Sequence, residues 1–138
     1  MTHSAGAPGG WLAAARRPDL VRAVVAVEPL GPPFLDLGPV GRLAGGLTCA
    51  ALDRTPDGRW AGLAGVPVCV VTAAASGRAA ADTQVVRFLA DGGVAVEHLT
   101  LADQGIAGNG HGLTFEVGND RSFALVARWL TETITGSG

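Results

Sequence analysis

The sequence predicts an α/β fold built on a parallel sheet of about three strands with flanking helices. Two nearly continuous runs of small and β-branched apolar residues, Val21–Val27 and Val66–Thr72, have the pattern of strands buried on both faces. Helix-like segments alternate with these runs, and this alternation is typical of parallel strands joined by crossovers. Hydrophobic residues make up 48% of the 138 residues, which is enough for one domain with a core.

Composition and charge argue against several classes of protein. The net charge is −2 and the ten basic residues, all arginine, are scattered, so the sequence predicts no nucleic-acid partner. Cys49 and Cys69 lack the spacing of metal ligands, and Cys69 lies in an apolar run, which favours a buried free thiol over a disulfide. No apolar stretch reaches membrane-spanning length and no targeting signal is visible, which leaves the location open. We therefore expect no metal site at the cysteines and no membrane partner.

The first predicted helix spans Gly10–Arg17, a run of good helix formers. Pro8 is tolerated in a first helical turn, and Pro18 ends the helix because the residue before a proline avoids helical geometry. The first buried strand, Val21–Val27, follows and ends at Glu28. This order places a carboxylate at the carboxyl end of a buried strand.

The segment Leu30–Ala64 is rich in glycine and proline and has no sustained periodicity. Loops of this length in compact domains are usually functional, so we interpret it as a cap or loop excursion within a single domain, residues 1–138. A short helix is predicted around Val40–Leu47. The apolar side chains of the excursion are expected to line a pocket, and they are Phe34, Leu35, Leu37 and Trp60.

Three further elements complete the predicted order. A helix over Arg78–Ala90 follows the second strand, and the alternating segment Val94–Leu99 predicts a third strand near a sheet edge. The last helix is expected to begin at Asn119 or Asp120, since either side chain can cap it. Its apolar stripe is predicted to be Phe123, Val126, Ala127, Leu130 and Ile134.

Ser4 is the candidate nucleophile. The segment Thr2–Gly6 matches G-x-S-x-G with threonine in the place of the first glycine, a pattern that lifts a serine hydroxyl above the edge of a parallel sheet on a sharp strand-to-helix turn. Ala5 and Gly6 are small enough for such a turn. The backbone N–H of Ala5 would lie at a helix N-terminus, where it could hold an oxyanion. Taken alone, the pentapeptide also fits an ordinary turn.

His111 is the candidate base among three histidines. It lies in the glycine-rich segment Gly105–Gly112, between the third strand and the last helix, where flanking glycines can present an imidazole over a neighbouring strand end. His3 is adjacent to the serine, so its side chain is expected to point away from that of Ser4 and to have a structural role. His98 lies inside the third predicted strand, where either a packed or a surface role is expected. The segment lacks the lysine and Ser/Thr spacing of a phosphate-binding loop.

A serine–histidine pair needs a carboxylate that fixes the imidazole tautomer. Glu28 is the first candidate because it directly follows a buried strand and would face the crevice outside the strand ends. Its alternative role is to cap the turn before Pro29. Asp82 is the second candidate, since it follows the next strand within a helix-like run, and Asp103 is the third.

Five linked segments follow one another in a fixed order: His3–Gly6, Gly10–Leu12, Arg17–Val21, Val25–Pro29 and Gly108–His111. Together they resemble the α/β-hydrolase family, and their order is similar to its C-terminal half. The closest resemblance is to bacterial esterases in which the strand after the serine ends in Val-x-Val-Glu-Pro. The resemblance implies a partial α/β-hydrolase fold, a triad of Ser4, His111 and Glu28, a small-molecule ester substrate and no cofactor.

The sequence departs from the family pattern in two ways. The usual acid site, after the strand Val66–Thr72, holds Ala73–Ala75, which favours Glu28 or a lost triad. The family also carries several strands before the serine and a loop that supplies a second oxyanion N–H, whereas three residues precede Ser4 here. We therefore expect a truncated domain that lacks its N-terminal strands, or a chain completed by a partner, with weak or no activity by itself.

A second hypothesis comes from a different class of protein. The chain could be a non-catalytic α/β fragment or interaction module that associates with itself through an exposed apolar sheet edge. The two hypotheses differ in whether Ser4 reacts with a fluorophosphonate.

Overall fold

The computed structural model describes residues 1–31 and 53–136, which form a four-stranded parallel sheet flanked by helices. The strands are β1 (Thr2–His3), β2 (Val24–Val27), β3 (Val68–Thr72) and β4 (Val96–Thr100). The helices are α1 (Ala7–Arg16), α2 (Ala79–Asp91) and α3 (Asn119–Thr135). The predicted α/β class is confirmed, and the architecture is consistent with part of an α/β-hydrolase.

The sheet has one strand more than predicted. Its order is β1–β2–β3–β4, and the additional strand β1 pairs Thr2 with Ala26 and His3 with Val27. A strand of two residues is too short for an alternating pattern, so only its pairing with β2 reveals it. The opposite edge is β4, where the alternating sequence indicated an edge strand.

The register brings the carboxyl ends of the strands to one edge of the sheet. His3 is opposite Val27, and Val27 is in turn opposite Val71. Because parallel strands all end on the same side, the residues that follow them emerge along one edge. Those residues include Ser4 after β1, Glu28 after β2 and Ala73 after β3.

Alternate side chains of the strands build two separate cores, one on each face of the sheet. The first is shared with α1 and α2, and its buried members include Trp11, Ala14, Val24, Ala26, Val68, Val70, Val85 and Leu89. The second is shared with α3, and its buried members include Val25, Val27, Cys69, Val71, Leu99, Leu113, Val126 and Trp129. A sheet buried on both faces explains the near-continuous apolar runs of β2 and β3.

The ends of two helices differ from the prediction. Helix α1 begins at Ala7, three residues early, because Pro8 fits the first turn, where its missing N–H is not needed. Helix α3 is not capped by the side chain of Asn119 or Asp120. Its N-cap is Gly118, in a left-handed conformation with φ +81°, and Asn119 Nδ2 instead donates to the carbonyl oxygen of Thr114 at 2.9 Å. A backbone turn therefore starts the helix.

The apolar stripe of α3 is rotated from the predicted one. Val126 is buried as expected, whereas Ala127 is exposed and Ile134 is 41% exposed. Trp129 occupies the buried face instead, together with Ser122. The larger indole covers more of the sheet than alanine could, and burying it decides which side of the helix faces the core.

The described part of the excursion joins the core instead of lining a pocket near Ser4. Trp60 is 6% exposed, stacks on Phe88 of α2 with ring centroids 4.7 Å apart, and donates from Nε1 to the Phe88 carbonyl oxygen at 3.3 Å. The expected pocket role of Trp60 is therefore wrong. Phe34, Leu35, Leu37 and the helix predicted at Val40–Leu47 lie outside the described residues.

Candidate active site

Ser4 lies where β1 turns sharply into a helix. It begins a 3₁₀ turn, Ser4–Gly6, that continues directly into α1. Its φ of +51° is left-handed, a conformation that non-glycine residues rarely adopt. The Ser4 carbonyl oxygen accepts from the N–H of Leu30 at 3.2 Å, which ties this turn to the chain leaving β2. The half-buried residue is thereby held at the carboxyl edge of the sheet.

His111 contacts both Ser4 and Glu28. Its Nε2 lies 2.8 Å from Ser4 Oγ, and its Nδ1 lies 3.2 Å from Glu28 Oε2. The loop after β4 carries the imidazole back over the ends of β1 and β2, across 107 residues of chain from Ser4. The His111 side chain is 43% exposed, so solvent and small molecules reach it.

Glu28 is fully buried, and its carboxylate is held by backbone as well as by His111. Oε1 accepts from the Ala73 N–H at 2.5 Å, and the Glu28 N–H donates to the Val71 carbonyl oxygen at 2.9 Å. Arg78 Nε lies 3.6 Å from Oε2. A buried carboxylate requires such donors and opposite charge, because an unpaired one would be costly to remove from water.

Ser4 and Glu28 share a strained backbone. Within residues 1–31 and 53–136 they are the non-glycine residues with positive φ, at +51° and +48°. Such conformations cost of the order of 1–3 kcal/mol each and tend to cluster at functional sites. The strain is kept by the sheet, which fixes both residues at the point where a strand ends.

The loop carrying His111 is braced on two sides. Glu116 Oε2 accepts from the Gly110 N–H at 2.6 Å, and the Asn109 carbonyl oxygen accepts from the Ala75 N–H at 2.9 Å.

The expectation that His3 points away from Ser4 and is only structural needs refinement. His3 Nε2 donates to the His111 carbonyl oxygen at 2.7 Å, and the two rings lie 5.1 Å apart, so His3 supports the loop beside Ser4.

The second and third acid candidates have other surroundings. Asp82 is buried on α2, where Oδ2 accepts from Thr72 Oγ1 at 2.8 Å and Oδ1 accepts from Arg78 Nη2 at 3.2 Å. Burial raises the pKa of Asp82 to about 6, against the lowering effect of Thr72. Asp103 is exposed in the turn after β4. Glu28 is the carboxylate within hydrogen-bond distance of His111.

His98 is half-buried in β4. Its Nε2 lies 2.8 Å from the hydroxyl oxygen of Thr72, and burial lowers the pKa of His98. Since the Thr72 hydroxyl donates to Asp82, His98 Nε2 carries a proton and donates to Thr72. His98 therefore belongs to the network behind Glu28 and not to the cluster around Ser4.

Asp82→Asn is expected to flatten the pH dependence of the free energy of unfolding. The folded-state pKa of Asp82, about 6, exceeds its ordinary value of 3.8. Between these values the folded chain holds the proton more tightly than the unfolded chain, so this carboxyl destabilises the fold as pH rises, by on the order of 2–3 kcal/mol in total. Urea denaturation of both proteins at about pH 4 and about pH 7 measures the difference. Asp103→Asn is the matched control, and equal slopes for wild type and Asp82→Asn would contradict the expectation.

The remaining candidate groups have simpler roles. Ala5 lies exposed in the turn that opens α1, where the first N–H groups of a helix have no partner within the helix. Cys69 is a buried free thiol, as predicted, and burial raises its pKa to about 12. Cys49 lies outside the described residues. Within the described part of the chain, no group of three or more histidine, cysteine, aspartate or glutamate side chains could hold a metal ion.

A cavity of about 310 Å³ lies at the opposite end of the sheet from Ser4. It opens where β3 and β4 begin and holds none of the predicted site residues. Its lining residues include Pro67, Val68, Val96, Glu97 and Trp129.

Among the described helices, none combines the length and the apolar character that crossing a bilayer requires.

Sequence reasoning missed the residues that support the cluster. In the sequence, Arg78 is recognisable only as the start of a helix and Asn109 only as part of the glycine-rich segment that carries His111, and Glu116 has no signal of its own. Their contacts join segments far apart in sequence, so no spacing reveals them. A weak signal existed for Asn109, because it lies between two glycines directly before the histidine.

Comparison with known proteins gives a hydrolase-like relationship. No family model matches the chain. A protein named "Probable secreted lipase phiG", from a fungal species (strain ATCC 74256), is 30% identical over an alignment of 162 residues that covers 94% of this chain and 44% of that protein. The chain thus spans less than half of that relative's length. The similarity supports a lipase-like relationship in general, and it does not extend to the narrower branch of bacterial esterases.

Proposed function

We propose that the chain carries the catalytic residues of a serine hydrolase that acts on carboxylic esters. In this proposal Ser4 is the nucleophile, His111 the general base and Glu28 the acid that orients His111. The observation that carries it is the continuous contact from Ser4 Oγ through both ring nitrogens of His111 to Glu28 Oε2, at 2.8 and 3.2 Å. The similarity to a lipase supports esters as the substrate class.

The first half of the proposed reaction acylates Ser4. As Ser4 Oγ forms a bond to the ester carbonyl carbon, its proton passes to His111 Nε2, which leaves a tetrahedral oxyanion. His111 then gives this proton to the alcohol oxygen as the bond from the carbonyl carbon to that oxygen breaks. The alcohol departs, and the acyl group remains on Ser4.

The second half repeats these steps with water. His111 Nε2 takes a proton from water as the water oxygen bonds to the acyl carbon, and it returns that proton to Ser4 Oγ as the acyl–serine bond breaks. Throughout, Glu28 accepts from His111 Nδ1–H, which keeps Nε2 free to accept a proton from Ser4. The Ala73 N–H holds the other oxygen of Glu28 and so fixes the direction of the carboxylate.

The Ala5 N–H is the proposed oxyanion donor. It directly follows the nucleophile in the turn that opens α1, and the positive end of a helix dipole favours developing negative charge there. Removal of one oxyanion donor typically costs about 10²–10³ in rate, which is the size of the contribution that we propose for this N–H.

Covalent labelling tests the proposal even for a slow enzyme, because one turnover is enough. The chain is treated with a fluorophosphonate and digested, and the modified peptide is identified by mass spectrometry. We expect the adduct on Ser4 and not on Ser76 or Ser122, which serve as internal controls. A chain that stays unlabelled at Ser4 would refute the proposal and favour a non-catalytic α/β module.

A further inference from the structure

A second set of charged side chains lies directly behind Glu28. The side chain of Arg78 is 16% exposed, and its guanidinium reaches from the start of α2 toward the end of β2. Its Nη2 donates to Asp82 Oδ1 at 3.2 Å and to the carbonyl oxygen of Pro29. Its Nε is buried without a hydrogen-bond partner among the described residues and lies 3.6 Å from Glu28 Oε2.

Arg78 is itself held in place by buried groups. Asp82 is fully buried and receives the Thr72 hydroxyl at 2.8 Å from the end of β3. The Pro29 carbonyl follows Glu28 in the chain, so the two contacts of Nη2 anchor the guanidinium to α2 and to the end of β2. The charge is thereby fixed beside the oxygen of Glu28 that faces His111.

We propose, on the basis of the function proposed above, that Arg78 is a positioning residue for Glu28 and that Asp82 holds Arg78 in this role. The cation offsets the free-energy cost of burying the charge of Glu28. This carboxylate is 0% exposed, so water does not stabilise its charge. The same cation lies beside Glu28 Oε2, the oxygen that faces His111, and so reduces the negative potential that this carboxylate places on the imidazole. Asp82 balances the cation from the other side.

This arrangement predicts opposite effects for the two partners. Removal of the Arg78 cation makes the surroundings of His111 more negative, so His111 keeps its proton to higher pH. Replacement of the Asp82 carboxylate by an amide leaves an oxygen that can accept from Arg78 Nη2 and hold the cation in place, but it removes the negative charge. The surroundings of His111 then become more positive, so His111 loses its proton at lower pH. The ionisable groups facing this network from the neighbouring elements are His3, Glu28, His98, Asp103 and Glu116.

The experiment compares wild type with Arg78→Met, Arg78→Lys and Asp82→Asn in the full chain. Arg87→Met is the matched control, because Arg87 is exposed on the same helix and its loss changes the net charge equally. Two quantities are measured against pH: the rate of Ser4 phosphonylation and the ring chemical shifts of His111. Circular dichroism shows which variants are folded.

We expect Arg78→Met to raise the midpoint of both pH profiles by roughly 0.5–1 pH unit, as for a unit charge removed at short range near a protein surface. Arg78→Lys keeps the charge and should restore the wild-type midpoint, as should Arg87→Met. Asp82→Asn should lower the midpoint. If Arg78→Met does not fold, Asp82→Asn decides, and a midpoint at or above that of wild type would overturn the inference.

Failure of this inference is separable from failure of the proposed function. Labelling of Ser4 with the same midpoint in Arg78→Met and Arg87→Met would overturn the role of Arg78 and leave the hydrolase standing. No labelling of Ser4 would refute the hydrolase, while the His111 chemical shifts would still report whether Arg78 acts on the imidazole. Shifts that move in the same direction for Arg78→Met and Asp82→Asn would also overturn it.

Discussion

His111→Ala is expected to slow the phosphonylation of Ser4 by at least about 10³-fold, because it removes the proposed general base. A serine hydroxyl is a weak nucleophile until a base takes its proton, and His111 Nε2 is the group in contact with Ser4 Oγ. The loop itself is held by Asn109 and Glu116, so the truncated variant should fold. The rate of adduct formation, followed by mass spectrometry, measures the effect.

Two comparisons sharpen this test. Arg87→Ala truncates an exposed side chain on α2 that belongs neither to the cluster around Ser4 nor to the network behind Glu28, and it should keep the wild-type rate. Because the His111 side chain is 43% exposed, added imidazole should enter the space left in His111→Ala and restore part of the rate. An unchanged rate in His111→Ala would show that the 2.8 Å contact has no part in activating Ser4.

Trp11→Ala is expected to lower the free energy of unfolding by about 3–5 kcal/mol, which is a large part of the stability of a typical domain. Trp11 lies on α1, is 1% exposed and belongs to the core that joins α1 to the sheet. Its loss leaves a cavity under the helix that begins at the Ser4 turn. Urea denaturation followed by circular dichroism measures the change.

Trp11→Phe is the matched control for this prediction. Trp11 Nε1 is buried without a hydrogen-bond partner among the described residues, so phenylalanine keeps an aromatic ring and removes an unsatisfied donor. It should therefore cost much less than alanine. A loss below about 1 kcal/mol for Trp11→Ala would mean that α1 is not stabilised by this contact. Slower labelling of Ser4 in folded Trp11→Ala would link the packing of α1 to the position of the hydroxyl.

The sequence was most informative where one local rule was sufficient. Strands β2 and β3 were recognised because a parallel strand covered on both faces must be apolar at nearly every position. The sequence was least informative where distant contacts compete. Trp60 lies in a segment whose apolar residues suggest a pocket wall, but it stacks on Phe88 and is part of the core. On α3 the regular spacing of apolar residues predicts that Ala127 is buried. Burial of Trp129 contributes more free energy than burial of an alanine would, so Trp129 faces the core and Ala127 faces solvent.

The α/β class and the chemical groups that follow the strands can be predicted from the sequence, since both depend on short runs of neighbouring residues. Folding selects Glu28, and not Asp82 or Asp103, as the candidate within hydrogen-bond distance of His111. That contact joins residues 83 positions apart and depends on the strand order and on the path of the loop after β4. The same long-range arrangement placed Arg78 behind Glu28, because only folding brings the start of α2 to the end of β2.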